Sequence, residues 1–133
     1  MTTQEKKQLV ITFLDLMTTG QSDQFEQVLA ENYHQHKPDS KDGLASIQEQ
    51  TKQLESVFAD VTVTIDDLVV EDDKVVGRFT WTGTQVGPFM GIPATHKRVS
   101  WSGTDWWRIE DGKLVEHWDN VEWASLMQQL QAK

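Results

Sequence analysis

Three side chains late in the sequence have the types and spacing for acid/base chemistry. Asp119 and His117 are two residues apart, so in an extended strand they share a face with Val115, while Leu114, Glu116 and Trp118 take the other. Asp105 lies upstream, at the same parity as Trp101, Trp107 and Ile109. Asp111-Gly112 between the two stretches is a strong hairpin signal, because both residue types tolerate the positive φ of a tight turn. Such a hairpin brings Asp105 near Asp119. A carboxylate stripped of water beside Trp rings becomes a stronger base. Two neighbouring carboxylates can share one proton. That chemistry suits a carbonyl compound, an epoxide or an ester. His117 could relay or orient the proton. The plainer alternatives are a strand-end Asp in solvent or held by Lys or Arg, and a half-buried His satisfied by hydrogen bonds.

The elements that must carry these groups follow from periodicity. Thr2-Thr3-Gln4-Glu5 reads as a capping box, Leu9, Val10, Phe13, Leu14 and Met17 recur at helical spacing, and Gly20 fits the C-cap. A second short helix is expected from Ser22 or Asp23, burying Phe25, Val28 and Leu29, with a connector over Tyr33–Pro38. A third runs from about Lys41 to Phe58, with Leu44, Ile47, Leu54, Val57 and Phe58 on its apolar face. From Val61 the period becomes two, with a slip at Asp66-Asp67 that marks a bulge. Strands are expected over Val75–Gln85, Thr95–Glu110 and Lys113–Val121, and a helical tail over Trp123–Leu130. Helices segregated before strands give an α+β fold of one domain, residues 1–133, three N-terminal helices packed on a curved, mainly antiparallel sheet around an apolar cavity.

Composition narrows the function classes. The chain has 133 residues, a net charge of −9 and no cysteine, which removes disulfides, thiolate metal sites and a thiol nucleophile. Lys and Arg are scattered, so no nucleic-acid partner is expected. No apolar run nears the roughly 18 residues of a membrane span, and the N-terminus lacks a signal-peptide pattern; the cytoplasm is the expected compartment. Gly83, Gly87 and Gly91 precede no helix and cradle no phosphate, and Ser100, Ser102 and Ser125 lack a nucleophile elbow. His34 and His36 could join His117 or Asp119 around a metal, but their spacing is not diagnostic. His36 is expected to point into the cavity instead, and no metal or cofactor is expected. Six tryptophans exceed what one small core needs, so some should line a pocket and others an association face.

An ordered set of motifs resembles the SnoaL-like polyketide cyclases, also called ester cyclases, of the nuclear-transport-factor-2-like superfamily. It comprises Val76-Gly77-Arg78-Phe79, Gly83-Thr84-Gln85, Gly87 to Thr95 and Asp105 to Asp119, with a Leu-rich ending at Leu126–Leu130. Tyr33 and His36-Lys37-Pro38 are similar to the family's Tyr…His-Asn-Pro stretch. The resemblance implies a cone of three helices on a curved mixed sheet, usually a homodimer, with an internal hydrophobic cavity. It implies that Asp119 stands where the cyclases carry the acid/base Asp of a cofactor-free aldol ring closure. Asp105, fourteen positions upstream, stands where known cyclases carry a His. Related epoxide hydrolases of this fold use carboxylates with an Arg nearby; Arg78 or Arg108 is available, although parity sets Arg108 on the face opposite Asp105.

The expected function is therefore binding of a small hydrophobic carbonyl compound, with proton abstraction by Asp119 and with Asp105 or His117 holding a proton for the enolate oxygen. Tyr33, His36, Trp81, Phe89, Met90, Trp101 and Trp107 are the expected cavity residues. A non-catalytic ligand-binding or dimerisation module and an epoxide hydrolase are the alternatives.

Overall fold

The structure, a computed structural model, describes residues 1–133. Helix α1 spans Thr3–Thr18 and opens with the expected capping box: Glu5 N–H donates to Thr2 Oγ1 at 3.0 Å, and Thr2 N–H to Glu5 Oε1 at 2.8 Å. It closes at Gly20, whose φ of +72° lets Gln21 N–H reach back to the Leu16 carbonyl at 2.8 Å. Val10, Phe13, Leu14 and Leu16 form its buried stripe.

The second expected helix shrinks to a single 3-10 segment, Ser22–Gln27, and the expected connector after it is strand β1, Leu29–His36. Val28 and Leu29 are buried as expected, but at the mouth of a strand. Parallel pairing with a late strand decides this: Leu114 N–H donates to the Val28 carbonyl at 2.8 Å, and Gln35 aligns with His117. Period two is visible once the strand is recognised, with Tyr33 and Gln35 buried, His34 half-buried between them and His36 exposed beyond them.

Helix α2, Leu44–Val57, buries Leu44, Ile47 and Thr51. Phe58, assigned to this helix by its spacing, instead begins strand β2, Phe58–Glu71. Strands β3 (Lys74–Gln85), β4 (Arg98–Glu110) and β5 (Lys113–Val121) complete the meander. Helix α3 covers Trp123–Gln131. The register of β2 shifts between Ile65 and Asp67, where the hydrophobic parity slips. The β4–β5 turn is formed by Asp111 at φ 50° and Gly112 at φ 75°.

The sheet order is β1-β5-β4-β3-β2, with β1–β5 the parallel pair and the rest antiparallel. Helices α1 and α2 lie over the inner face, where Phe13, Phe25, Tyr33, Phe79 and Trp107 share the main core. A second cluster joins Leu126 and Leu130 of α3 to Phe58, Val99 and Trp101. The β4–β5 register shifts between Arg108 and Ile109, so Ile109 pairs with Leu114 and Leu114 turns into the main core; strict alternation had put it on the outer face. Buried Gln85 holds the β3–β4 loop: its amide donates to the Gly87 and Ile92 carbonyls and its Oε1 accepts from Thr95 N–H and Oγ1. No helix is long and apolar enough to cross a membrane.

Candidate active site

The middle of β5 faces the helices with His117 and Asp119, because strand alternation beyond the register shift is unbroken. Across the ladder His117 pairs with Trp107, and Asp119 lies directly opposite Asp105. Directly opposed side chains on one face sit about 4.5–5.5 Å apart at Cβ. One ligand atom from each of Asp105, His117 and Asp119 falls within 4.8 Å of the others.

His117 is fixed at both nitrogens. Nδ1 meets Gln35 Oε1 at 2.5 Å and Nε2 meets Asp105 Oδ1 at 2.7 Å. With the Gln35 amide oxygen accepting from Nδ1, Nε2 is turned to the Asp105 carboxyl, where the pair can hold a proton between them. The ring is clamped between Trp107, with centroids 5.0 Å apart at 28°, and Tyr33, at 6.2 Å and 24°. Trp107 Nε1 donates to Tyr33 Oη at 3.1 Å in the buried interior, which joins β4 to β1 behind the imidazole. Burial pushes the Tyr33 phenol well above its ordinary range, and the Asp105 and Asp119 charges push the same way. The phenol is thus a neutral wall of the site. Asp119, by contrast, has no side-chain hydrogen bond or ion pair, and is half-buried.

These groups open into a pocket of about 210 Å³ between the sheet and helices α1 and α2. Phe13, Leu14, Ile47, Trp81, Trp101 and Trp107 give it mostly apolar walls. Polar groups enter at Gln35, Gln50, Thr51 and, from the exposed rim, Lys37.

Of the residues singled out in the sequence, Asp105, His117, Asp119, Tyr33, Trp81, Trp101 and Trp107 meet at this pocket. Three lie elsewhere. His36 follows the opposite parity from Gln35 and stacks on Trp118 on the outer face, at 4.6 Å and 4°. Phe89 packs on Phe58 and Trp123, at 5.5 and 5.8 Å. Met90 is 71% exposed at the loop tip. His34 and His36 sit beside Glu116, separated from His117 and Asp119 by the sheet itself. Arg78 is exposed on the side opposite Phe79, and Arg108 binds Glu116 at 2.7 Å, so neither guanidinium enters the pocket.

Gln35 is the site residue that sequence reasoning missed. Its signal was the two-residue spacing from Tyr33, hidden because the stretch was read as a connector rather than a strand.

The sequence matches the SnoaL-like polyketide cyclase family over residues 7–130. TsrD from Streptomyces laurentii is 34% identical, with a TM-score of 0.92 over 100% of this chain and 99% of that one. AclR from Streptomyces galilaeus, a proposed hydroxylase, is 26% identical, with a TM-score of 0.86 over 97% of each chain. A proposed SnoaL-like polyketide cyclase from Jannaschia sp. CCS1 shares the fold at 20% identity and a TM-score of 0.86, over 98% of this chain and 94% of that one. No curated protein matches the sequence.

Proposed function

The chain belongs to the SnoaL-like polyketide cyclase family, and on that premise we propose that it catalyses cofactor-free acid/base chemistry on a small hydrophobic carbonyl compound held in the inner pocket. The observation that carries the reading is the asymmetry of the two carboxylates: Asp105 is tied to His117 at 2.7 Å, while Asp119 opposite it is unpaired. A free carboxylate and a proton-holding pair on one wall are the two halves of an enolisation.

Asp119 takes the proton α to the carbonyl, the C–H electron pair becomes the enolate C=C bond, and the carbonyl π pair moves onto oxygen. The proton shared by His117 and Asp105 stabilises that oxygen as charge develops, an interaction worth a few kcal/mol, about 3, in comparable sites. Gln35, Tyr33 and Trp107 keep the imidazole in place, and the apolar walls exclude water. The enolate then adds to a second carbonyl of the same molecule in an aldol ring closure, or is reprotonated as in an isomerisation. With Arg78 and Arg108 outside the pocket, enolisation is better supported than epoxide opening.

The test needs no knowledge of the natural substrate. Exchange of the α-protons of 2-tetralone for deuterium is followed by NMR in heavy water. The reading expects acceleration by the protein that Asp119→Asn removes. Saturable binding of the ketone with no acceleration would leave a non-catalytic binding module.

Homodimerisation through the outer face of the sheet belongs to the same proposal. Val69, Val76, Trp106 and Trp118 align across four strands there, and Trp106 is 43% exposed. Such a stripe supports an association surface.

A further inference from the structure

We propose that His34, His36 and Glu116 form a binding site for one divalent transition-metal ion of the zinc type, on the outer face of the sheet at its β1 edge. The site is separate from the inner pocket. His34 and His36 are two apart on an edge strand, so both imidazoles leave the same face. Glu116 is supplied by β5 at the position aligned with His34. One ligand atom from each lies within 4.8 Å of the others. Two imidazoles and a carboxylate, with a fourth position open to water, are a donor set that zinc takes.

What raises this cluster above a chance surface trio is that each ligand is already oriented from behind. His34 Nδ1 meets Asp42 Oδ2 at 2.8 Å, which commits that nitrogen and leaves Nε2 as the lone-pair donor. A carboxylate behind a histidine in this way fixes the ring and makes it a better ligand. Asp42 is itself anchored, because Gln35 N–H donates to its other oxygen at 3.0 Å; that bond and the His34 contact hold its carboxyl below the usual range. Glu116 Oε1 accepts from Arg108 Nε at 2.7 Å, leaving Oε2 for the cluster, and the Arg108 and His36 contacts hold the carboxyl low. His36 is set flat against Trp118.

His36 Nε2 and Glu116 Oε2 now share a proton at 2.6 Å. A tetrahedral ion with bonds of 2.0–2.1 Å needs its ligand atoms about 3.3 Å apart. The ion therefore displaces that proton and opens the contact by less than about 1 Å, within reach of side chains on an exposed edge. The inner trio of Asp105, His117 and Asp119 is the competing position. There a single imidazole stands with two carboxylates, a harder donor set than the two imidazoles and one carboxylate of the outer cluster.

Tag-free protein, stripped with EDTA and dialysed, is titrated with zinc sulfate in a calorimeter. One ion per chain is expected. His34→Ala and His36→Ala should each weaken binding at least about tenfold, and Asp42→Asn by about tenfold through the orientation of His34. Asp119→Asn should bind like the wild type. Cobalt(II) added in place of zinc should give visible absorption bands that His36→Ala abolishes. Absence of saturable binding would overturn the proposal. So would binding that His34→Ala leaves intact, or binding that Asp119→Asn removes, which would put the ion in the pocket.

Discussion

Asp105 and Asp119 face each other across β4 and β5, yet only Asp105 is bonded to His117, at 2.7 Å. The hairpin thus places two chemically equal side chains in unequal surroundings. The proposed division of labour between a proton holder and a proton acceptor rests on that inequality.

Replacing Asp119 by Asn tests the acceptor. The amide keeps the shape and removes the base, so α-proton exchange should fall by about 10²–10⁴-fold. Asp119 makes no side-chain hydrogen bond, so unfolding in urea should change by no more than about 0.5 kcal/mol. Loss of folding in this variant would make Asp119 a structural residue.

Gln35→Leu tests the holder. It leaves the buried His117 Nδ1–H without its acceptor, a loss of about 1–3 kcal/mol in stability. The imidazole is then free to turn, and the pH profile of exchange should change shape. An unchanged profile with lowered stability would reduce Gln35 to packing.

Much of this arrangement is legible in the residues. Asp111-Gly112 dictates the hairpin, and alternation then sets Asp105, His117 and Asp119 on one face. The parity slip at Asp66-Asp67 marks the β2 bulge for the same reason. What escapes is information held by the partner strand. Leu29–His36 contains Glu, Asn, Gln and two His, a poor intrinsic strand former. It is extended because β5 supplies a parallel edge far away in sequence, and tertiary pairing of that kind leaves little local trace. Missing β1 hid Gln35 and turned His36 inward by one residue, since a one-residue error exchanges the faces. The Leu114 reversal arises likewise from a register shift that only the pairing with β4 reveals.

Adjacent residues Glu116 and His117 serve opposite faces of β5, so metal removal and catalysis should separate. EDTA treatment should strip zinc from His34, His36 and Glu116 and leave ketone exchange unchanged, read by NMR before and after dialysis. Loss of exchange on chelation, restored by zinc, would place the ion among Asp105, His117 and Asp119 instead.

The outer stripe makes its own demand. Trp106 and Trp118 are paired across the ladder and face away from the core. Light scattering should return twice the 15.3 kDa chain mass. Trp106→Ser should shift the population toward monomer with little loss of secondary structure, because the ring is exposed within the single chain. A monomeric wild type would leave the stripe open for a different partner.

Tyr33 is the chain's one tyrosine, which makes its phenol directly visible. Burial holds its folded-state ionisation well above the ordinary range near 10. The unfolded chain loses that proton first, so it binds fewer protons than the native state once pH passes about 10, and stability must fall as pH rises further. Below that pH both states keep the proton and Tyr33 contributes no pH dependence. Phenolate absorbance near 295 nm should therefore stay absent in native protein above pH 10 and appear together with the loss of near-ultraviolet circular dichroism. An independent phenolate titration at the ordinary value, with the fold intact, would mean that the Tyr33 ring is wet. The wall behind His117 would then be open to water.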